Sequence, residues 1–378
     1  MASSYRVCSR CVLDTTVPEI VFDENGACQY CKIHDSMEKK YPQGREGKDL
    51  LDRIVRKIKS AGGRHEYDCI VGVSGGRDST YTLYVANQLG LRPLAVHFDN
   101  GWNSEVAVNN IKKATSKLGV DLHTVVADWE EFKDLQIAFL KASVPDAEIP
   151  TDWAIYSVLY ETAAKENIKY VLQGHSFRTE GTSPIGWTYM DGRYVKAVHR
   201  MFGKKGITSF PIITAKELVD YLIIKRIKEV RPLEYVRYVQ TEVDETLKRE
   251  LGWEYYGGHH HESTYTKFIQ SYYLPKKFNI DKRKTEYSAL VRSGQMEREK
   301  ALKEISRETY RFEEKNIEYA TSKLGLTKEE FKAIMSAKPK TFGDYPTYRP
   351  LIKAMKFPIL LACRMHILPD ILYLKYAN

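Results

Sequence analysis

Long hydrophobic runs are missing from this chain: nowhere in its 378 residues does an apolar stretch approach the length that spans a bilayer. The N-terminus lacks the apolar core of a signal peptide, because a cysteine-rich segment stands in its place. A cytoplasmic location with no membrane partner is the expectation. Cysteine is scarce, with six residues in all, and four of them fall before residue 32. Internal repeats and low-complexity tracts are absent, which excludes solenoids and disordered scaffolds. Charge of one sign never gathers into blocks, so the net charge of +9 is spread among interspersed acidic residues. That spread favours a site for small anionic substrates over a nucleic-acid partner.

What is present suits a soluble protein of two domains, or of one large domain with an appendage: 43% hydrophobic and 28% charged residues supply a sizeable core. The stretch Asp68 to Thr80, Asp-Cys-Ile-Val-Gly-Val-Ser-Gly-Gly-Arg-Asp-Ser-Thr, organises the rest. Its apolar run reads as a buried strand, and from Asp78 onward it reads as the first turn of a helix. Gly75 and Gly76 let the backbone N–H groups between them approach an anion, Ser74 and Ser79 add hydroxyl donors, and the helix N-terminus adds partial positive charge. Asp78 would repel a bare phosphate, so a magnesium-bound triphosphate is expected there. The turn has no Gly-Lys-Ser/Thr ending and is neither a Walker loop nor a dinucleotide fingerprint.

Upstream, Cys8-Ser-Arg-Cys11 and Cys28-Gln-Tyr-Cys31 are separated by sixteen residues, the spacing of a closed four-cysteine zinc site. His34 is surplus to that set and is expected on the surface. Leu50, Leu51, Ile54, Val55 and Ile58 predict an amphipathic helix leading into the strand. Helices over 78–89 and from Asn103 or Ser104 to Leu118, with strands at 94–98, 122–126 and 170–172 and a helix over 151–166, predict a doubly wound, mostly parallel α/β sheet. Ligands bind such sheets at the carboxyl ends of strands, which gathers Ser74 to Ser79, His97 to Gly101 and Gln173 to Glu180 at one crevice. Asp99 reads either as a ribose or metal ligand or as the turn residue before Gly101. Gly174 would allow close approach to a nucleotide. Lys204 and Lys205, on a glycine-flanked loop, are candidates to stabilise a leaving pyrophosphate, or else ordinary surface lysines. From Ala215 the pattern turns mainly helical, and Arg231-Pro232 is the best boundary. The expected divisions are 1–45, 46–231 and 232–378, the last a mainly helical region with helices at 298–305, 313–324 and 328–336.

That region carries Gly252-Trp-Glu-Tyr-Tyr-Gly-Gly-His-His-His-Glu-Ser-Thr264. Adjacent histidines on a loop converge poorly on one ion, so His260, His261 and Glu262 read as acid–base groups facing a substrate, with a second metal as the alternative.

Ser74-Gly75-Gly76-Arg77-Asp78-Ser79 matches the SGGxDS loop of the N-type ATP pyrophosphatases, and Gln173 to Glu180 resembles a later segment of the same enzymes, with Ser176 where asparagine is usual. With the four-cysteine segment, HFDNGWNS, the 253–263 tract, Leu274-Pro-Lys-Lys-Phe and Ser293-Gly-Gln, nearly the whole chain resembles the N-acetyl sugar amidotransferases of surface-sugar pathways. The resemblance implies His97 and Phe98 contacting adenine, Asp99 reaching ribose or metal, and Glu180 as a second magnesium ligand. It implies ATP, Mg2+ and Zn2+ as cofactors and a nucleotide-linked acetamido sugar as substrate. ATP would adenylate the amide oxygen, and ammonia would displace AMP to leave an amidine. No cysteine suits glutamine hydrolysis, so the resemblance implies two partners, a glutaminase and an ammonia-channelling barrel similar to the subunits of imidazole glycerol phosphate synthase. Two alternatives remain: a tRNA thiolation enzyme, for which only Cys69 and Cys363 are unassigned, and a zinc-ribbon nucleic-acid module.

Overall fold

The computed structural model describes residues 5–258, 261–307, 313–365, 368 and 373. Bridges between Val7 and Asp14 and between Phe22 and Cys28 fold the N-terminal segment, and α1 (Gln29–Lys40) leaves directly from the second cysteine pair. The amphipathic α2 (Gly44–Gly62) buries Leu51, Val55 and Ile58 and ends at Gly63, as its spacing predicts. There follow β1 (Cys69–Gly72), α3 (Arg77–Gln88), β2 (Pro93–Asp99), α4 (Glu105–Leu118), β3 (Leu122–Val126), α5 (Trp129–Ala142), α6 (Ile149–Lys165) and β4 (Tyr170–Leu172). Then come α7 (Gly192–Phe202), α8 (Ala215–Val219) with a π-turn at Asp220–Ile224, and β5 (Lys228–Val230).

The five strands run parallel in the order β3-β2-β1-β4-β5. The chain winds outward from β1 through β2 to β3 and then returns to place β4 on the other side of β1. The switch point therefore lies between β1 and β4, and it brings the ends of those two strands together at one crevice. The inner strands are buried on both faces, Ile70, Val71, Ala95 and Val171 among them, while the edge strand β3 is largely exposed.

Two stretches of this domain depart from expectation. α5 was not foreseen, although Asp128 caps it by accepting from the amides of Glu130 and Glu131. The helical tract expected from Ala215 stops early, because Lys228 to Val230 pair with Tyr170 to Leu172 as an edge strand. His34 is a third correction: it is buried rather than on the surface, edge-on to the Phe177 ring at 5.0 Å, and burial holds its imidazole down to about 4.

The C-terminal region is helical: α9 (Gln240–Leu251), α10 (Thr264–Phe268) running into a π-helical stretch at Ile269–Phe278, α11 (Arg283–Arg292), α12 (Arg298–Arg307), α13 (Glu314–Lys323), α14 (Lys328–Ser336), α15 (Arg349–Ala354) and α16 (Lys356–Arg364). Thr327 and Glu330 form the reciprocal capping box at the start of α14 that their spacing predicts. Of these, α10 with its π-helical stretch, α13 and α14 join the main core through Tyr265, Phe268, Tyr273, Ala320, Leu324 and Ile334.

Asp146, in the turn between α5 and α6, is buried and accepts from the Tyr194 hydroxyl at 2.8 Å and the Tyr189 amide at 3.3 Å. Burial raises its carboxyl from the ordinary 3.8 to about 7. Below the ordinary value both folded and unfolded chains hold this proton. Between the two values only the folded chain holds it, so stability falls as pH rises through that window and levels off above about 7. The ionised carboxylate thus destabilises the fold by up to about 4 kcal/mol above that window. Asp146→Asn is expected to flatten this decline, so that unfolding midpoints measured from about pH 5 to pH 8 separate increasingly in favour of the variant.

Candidate active site and metal centre

The turn after β1, expected to cradle phosphate, is tight and lined by glycine. Gly75 takes φ of +78°, and a Cβ there would lie 2.2 Å from the Ala107 carbonyl oxygen, so only glycine fits. The Ser79 hydroxyl accepts from the Ser74 amide at 3.1 Å, and the Ser74 hydroxyl accepts from the Gly76 amide at 3.2 Å. The two hydroxyls are 3.1 Å apart. Gly174, at the end of β4, packs so close that an added Cβ would meet the backbone of Asp78 and Ser79 at 2.8 Å. The switch point thus presses the two glycine segments together.

The C-terminal tract closes over this turn. Trp253 Nε1 donates to the Gly75 carbonyl at 3.0 Å, Asn110 Nδ2 donates to the same oxygen at 3.2 Å, and the Tyr256 hydroxyl accepts from the Arg77 amide at 3.2 Å. Arg77 forms a two-pronged ion pair with Asp244 on α9. Glu262 Oε1 lies 3.4 Å from the Ser74 hydroxyl and against Gly76.

Part of this assembly borders a cavity of about 1200 Å³. Ser74, Gly76, Asp78, Ser79, His97, Phe98, Gly174, Glu180 and Glu262 all line it. His97 is held on both ring nitrogens, with the Val73 carbonyl 2.8 Å from Nδ1 and Asn103 Nδ2 3.0 Å from Nε2. Nδ1 therefore carries the proton, and burial lowers the imidazole pKa. Glu180 pairs with His175 at 2.7 Å and raises that imidazole above its ordinary value.

Other candidates lie elsewhere. Asp99 is outside the lining and accepts from the Gly101 amide at 2.9 Å, the turn role. His261 packs against Gly258 and does not line the cavity, while His260 lies outside the described residues. Lys204 and Lys205 are displaced to a separate depression, because their backbone amides both bind the Asp134 carboxylate of α5 and Lys205 Nζ pairs with Glu130 at 2.6 Å. The cations that do line the main cavity are Arg77, Arg193, Lys196, Arg200, Arg231 and Lys282. Lys196 and Arg200 border both hollows from one face of α7, a helical i, i+4 pair that the sequence displays but whose direction depends on packing.

Cys8, Cys11, Cys28 and Cys31 are buried, and their sulfurs all lie within 4.8 Å of one another, with three pairs at 3.7 Å. This is a four-cysteine metal-binding site. The C-terminal region supplies its surroundings: Arg292 donates to Cys11 Sγ at 3.3 Å and to Cys31 Sγ at 3.4 Å, and Arg298 Nη2 donates to the Cys8 carbonyl at 2.7 Å. Outer partners of this kind tune metal affinity. Arg292→Leu is expected to weaken metal retention by about 10- to 100-fold, read as faster loss of metal to a chelator by the full chain, with a smaller effect from Arg292→Lys.

Residues 68–156 match the family model for the queuosine biosynthesis protein QueC, and residues 262–358 match that for the C-terminal domain of LPS biosynthesis proteins that are WbpG-like. No curated protein matches the chain by sequence. Among solved structures, the chain resembles a predicted subunit of tRNA methyltransferase from Methanocaldococcus jannaschii at 13% identity, over 57% of this chain and 90% of that one, with a TM-score of 0.30. It also resembles the U34-tRNA thiolase NcsA from Methanococcus maripaludis, solved with its 4Fe-4S cluster, at 16% identity over 82% and 95%, TM-score 0.32. A third likeness is to NMN synthetase from Francisella tularensis, at 13% identity over 75% and 95%, TM-score 0.31. Residues 68–156 are thus similar to QueC, and residues 262–358 to the C-terminal domain of WbpG-like lipopolysaccharide-biosynthesis proteins.

Proposed function

We propose that the protein uses ATP to turn the acetamido group of a nucleotide-linked sugar into an acetamidino group. An amide carbon is a poor electrophile and its oxygen a poor leaving group. Attack by that oxygen on the α phosphorus expels pyrophosphate and leaves an O-adenylyl imidate. Ammonia then adds to the carbon, and AMP departs with the oxygen, giving the amidine. The observation that carries this reading is Glu262: the first residue of the segment similar to lipopolysaccharide-biosynthesis proteins stands against Ser74 and Gly76.

In this scheme Ser74, Gly75, Gly76 and Ser79 hold the β and γ phosphoryls, and Asp78 and Glu180 would hold magnesium, which supplies charge neutralisation on the phosphates. Lys196 and Lys282, which line the cavity, take the charge-stabilising role expected of Lys204 and Lys205. Glu262 accepts a proton from the entering nitrogen. The ammonia comes from a partner glutaminase through a barrel subunit, because no cysteine on the cavity can hydrolyse glutamine. The same observation weakens the tRNA-thiolation reading: Cys69 and Cys363 are buried and neither lines the cavity. Zinc suits the four-cysteine site, since Zn–S bonds of ~2.3 Å in a tetrahedron set sulfurs about 3.8 Å apart, close to the observed 3.7 Å pairs. An iron–sulfur cube would spread its thiolates over separate irons.

With ammonium and an acetamido sugar nucleotide, the chain is expected to form AMP and pyrophosphate in step with amidine, and glutamine will not replace ammonium without partners. Asp78→Asn is expected to lower kcat by about 10²- to 10³-fold with little change in the unfolding midpoint. ADP as the product, or full amidine formation by the variant, overturns the proposal.

A further inference from the structure

The far end of the cavity is unlike the phosphate end. Leu218, Val219 and Leu222 border it from one side and Leu351, Ile352 and Met355 from the other. Val219, Leu351 and Met355 are exposed as well as lining, so they mark the mouth. Around that mouth the same two segments expose Ile223, Ile224, Phe357, Leu361 and Met365, with Phe357 79% and Ile224 71% accessible. Apolar side chains gathered in this way mark a binding face, whereas scattered ones do not. Ile352, Ile359 and Cys363 pack in a small cluster of their own, apart from the two main cores.

We infer that this face lies on an anionic phospholipid surface, with the cavity opening toward it. The charges select the occupant. Residues 349–365 contain Arg349, Lys353, Lys356 and Arg364 and no acidic residue. The facing segment carries Lys216, Lys225, Arg226 and Lys228 against Glu217 and Asp220. Short helices with bulky apolar residues exposed between lysines and arginines lie in the headgroup region, their basic side chains reaching outward to lipid phosphates. No helix among the described residues is long and apolar enough to cross a membrane, so the contact is interfacial. The expectation of no membrane partner rested on that absence, which does not bear on surface contact. The inference is independent of the reaction proposed above.

The test is co-sedimentation of the full chain with vesicles of phosphatidylcholine alone or mixed with phosphatidylglycerol. Binding to the mixed vesicles, little to the neutral ones, and release by salt are expected. Ile224 and Phe357 do not line the cavity, so Ile224→Glu with Phe357→Glu is expected to weaken vesicle binding at least about tenfold while leaving the unfolding midpoint near wild type. Lys353→Glu with Arg364→Glu should abolish the preference for anionic vesicles, and it carries the test if the first variant unfolds. Failure to sediment with either vesicle, or unchanged binding by both variants, overturns the inference. So does a chain that binds no vesicle but dimerises until Ile224 and Phe357 are replaced, since the face would then join two copies.

Discussion

The carbonyl of Gly75 is the point on which the turn after β1 depends. A turn that aims its N–H groups at a ligand must aim some carbonyls away, and an orphaned buried carbonyl costs about 1–3 kcal/mol. Here that oxygen is satisfied twice, by Asn110 from 35 residues away and by Trp253 from 178 residues away. Trp253 is buried, so its indole has no alternative partner in water. The shape of the loop is therefore fixed by the C-terminal region as much as by its own glycines. The two parts of the chain share one site.

The same logic extends to the N-terminal segment. Arg178 follows the β4 glycine turn and is buried, where it donates to Glu38 of α1 at 2.8 Å, to the Tyr41 carbonyl at 2.6 Å and to the Glu234 carbonyl at 2.8 Å. A buried guanidinium with this many acceptors is specified in position, because losing Glu38 leaves its charge uncompensated and losing either carbonyl leaves a buried N–H unsatisfied. Glu234, buried beside it, has its carboxyl raised to about 7 by burial. On the opposite side Lys284 pairs with Asp14 at 2.7 Å, and the Val12 amide donates to the Ser288 hydroxyl. The cysteine centre is thus joined both to the β4 turn and to α11. A metal held by the four cysteines would join regions far apart in sequence.

The sheet was legible because its strands are short apolar runs closed by glycine or polar turns, and because Ser104 and Gly119 cap α4 as their types predict. The turn between β1 and α3 was legible for the same reason: its glycines and serines lie within six consecutive residues. What escaped depends on distant pairing. Lys-Glu-Val at 228–230 has no strand pattern of its own and becomes β5 by hydrogen bonding to β4. Lys204 and Lys205 looked available because nothing near them in sequence suggests that Asp134 and Glu130 would bind them, and α5, which carries both acids, was itself unforeseen. His34 looked surplus because Phe177, which covers it, is 143 residues later. The π-helical stretch containing Pro275 follows no local rule that predicts its length.

Glu262 sets a constraint on whatever enters the cradle. Its carboxylate lies 3.4 Å from the Ser74 hydroxyl, a group placed to meet a phosphate oxygen, and it crowds the Cβ position of Gly76 at 2.8 Å. Two anions about 4 Å apart repel by ~1 kcal/mol in water and by about 4 kcal/mol near a protein surface. Asp78, on the same turn, adds a third negative group. A triphosphate can settle here only with a cation between it and the carboxylates, or with Glu262 moved aside. The main chain of Glu262 is held, since its carbonyl accepts from the Ser104 amide at 2.8 Å and Ser263 bridges Asn103. The segment similar to WbpG-like proteins thus begins with a carboxylate fixed beside the turn after β1.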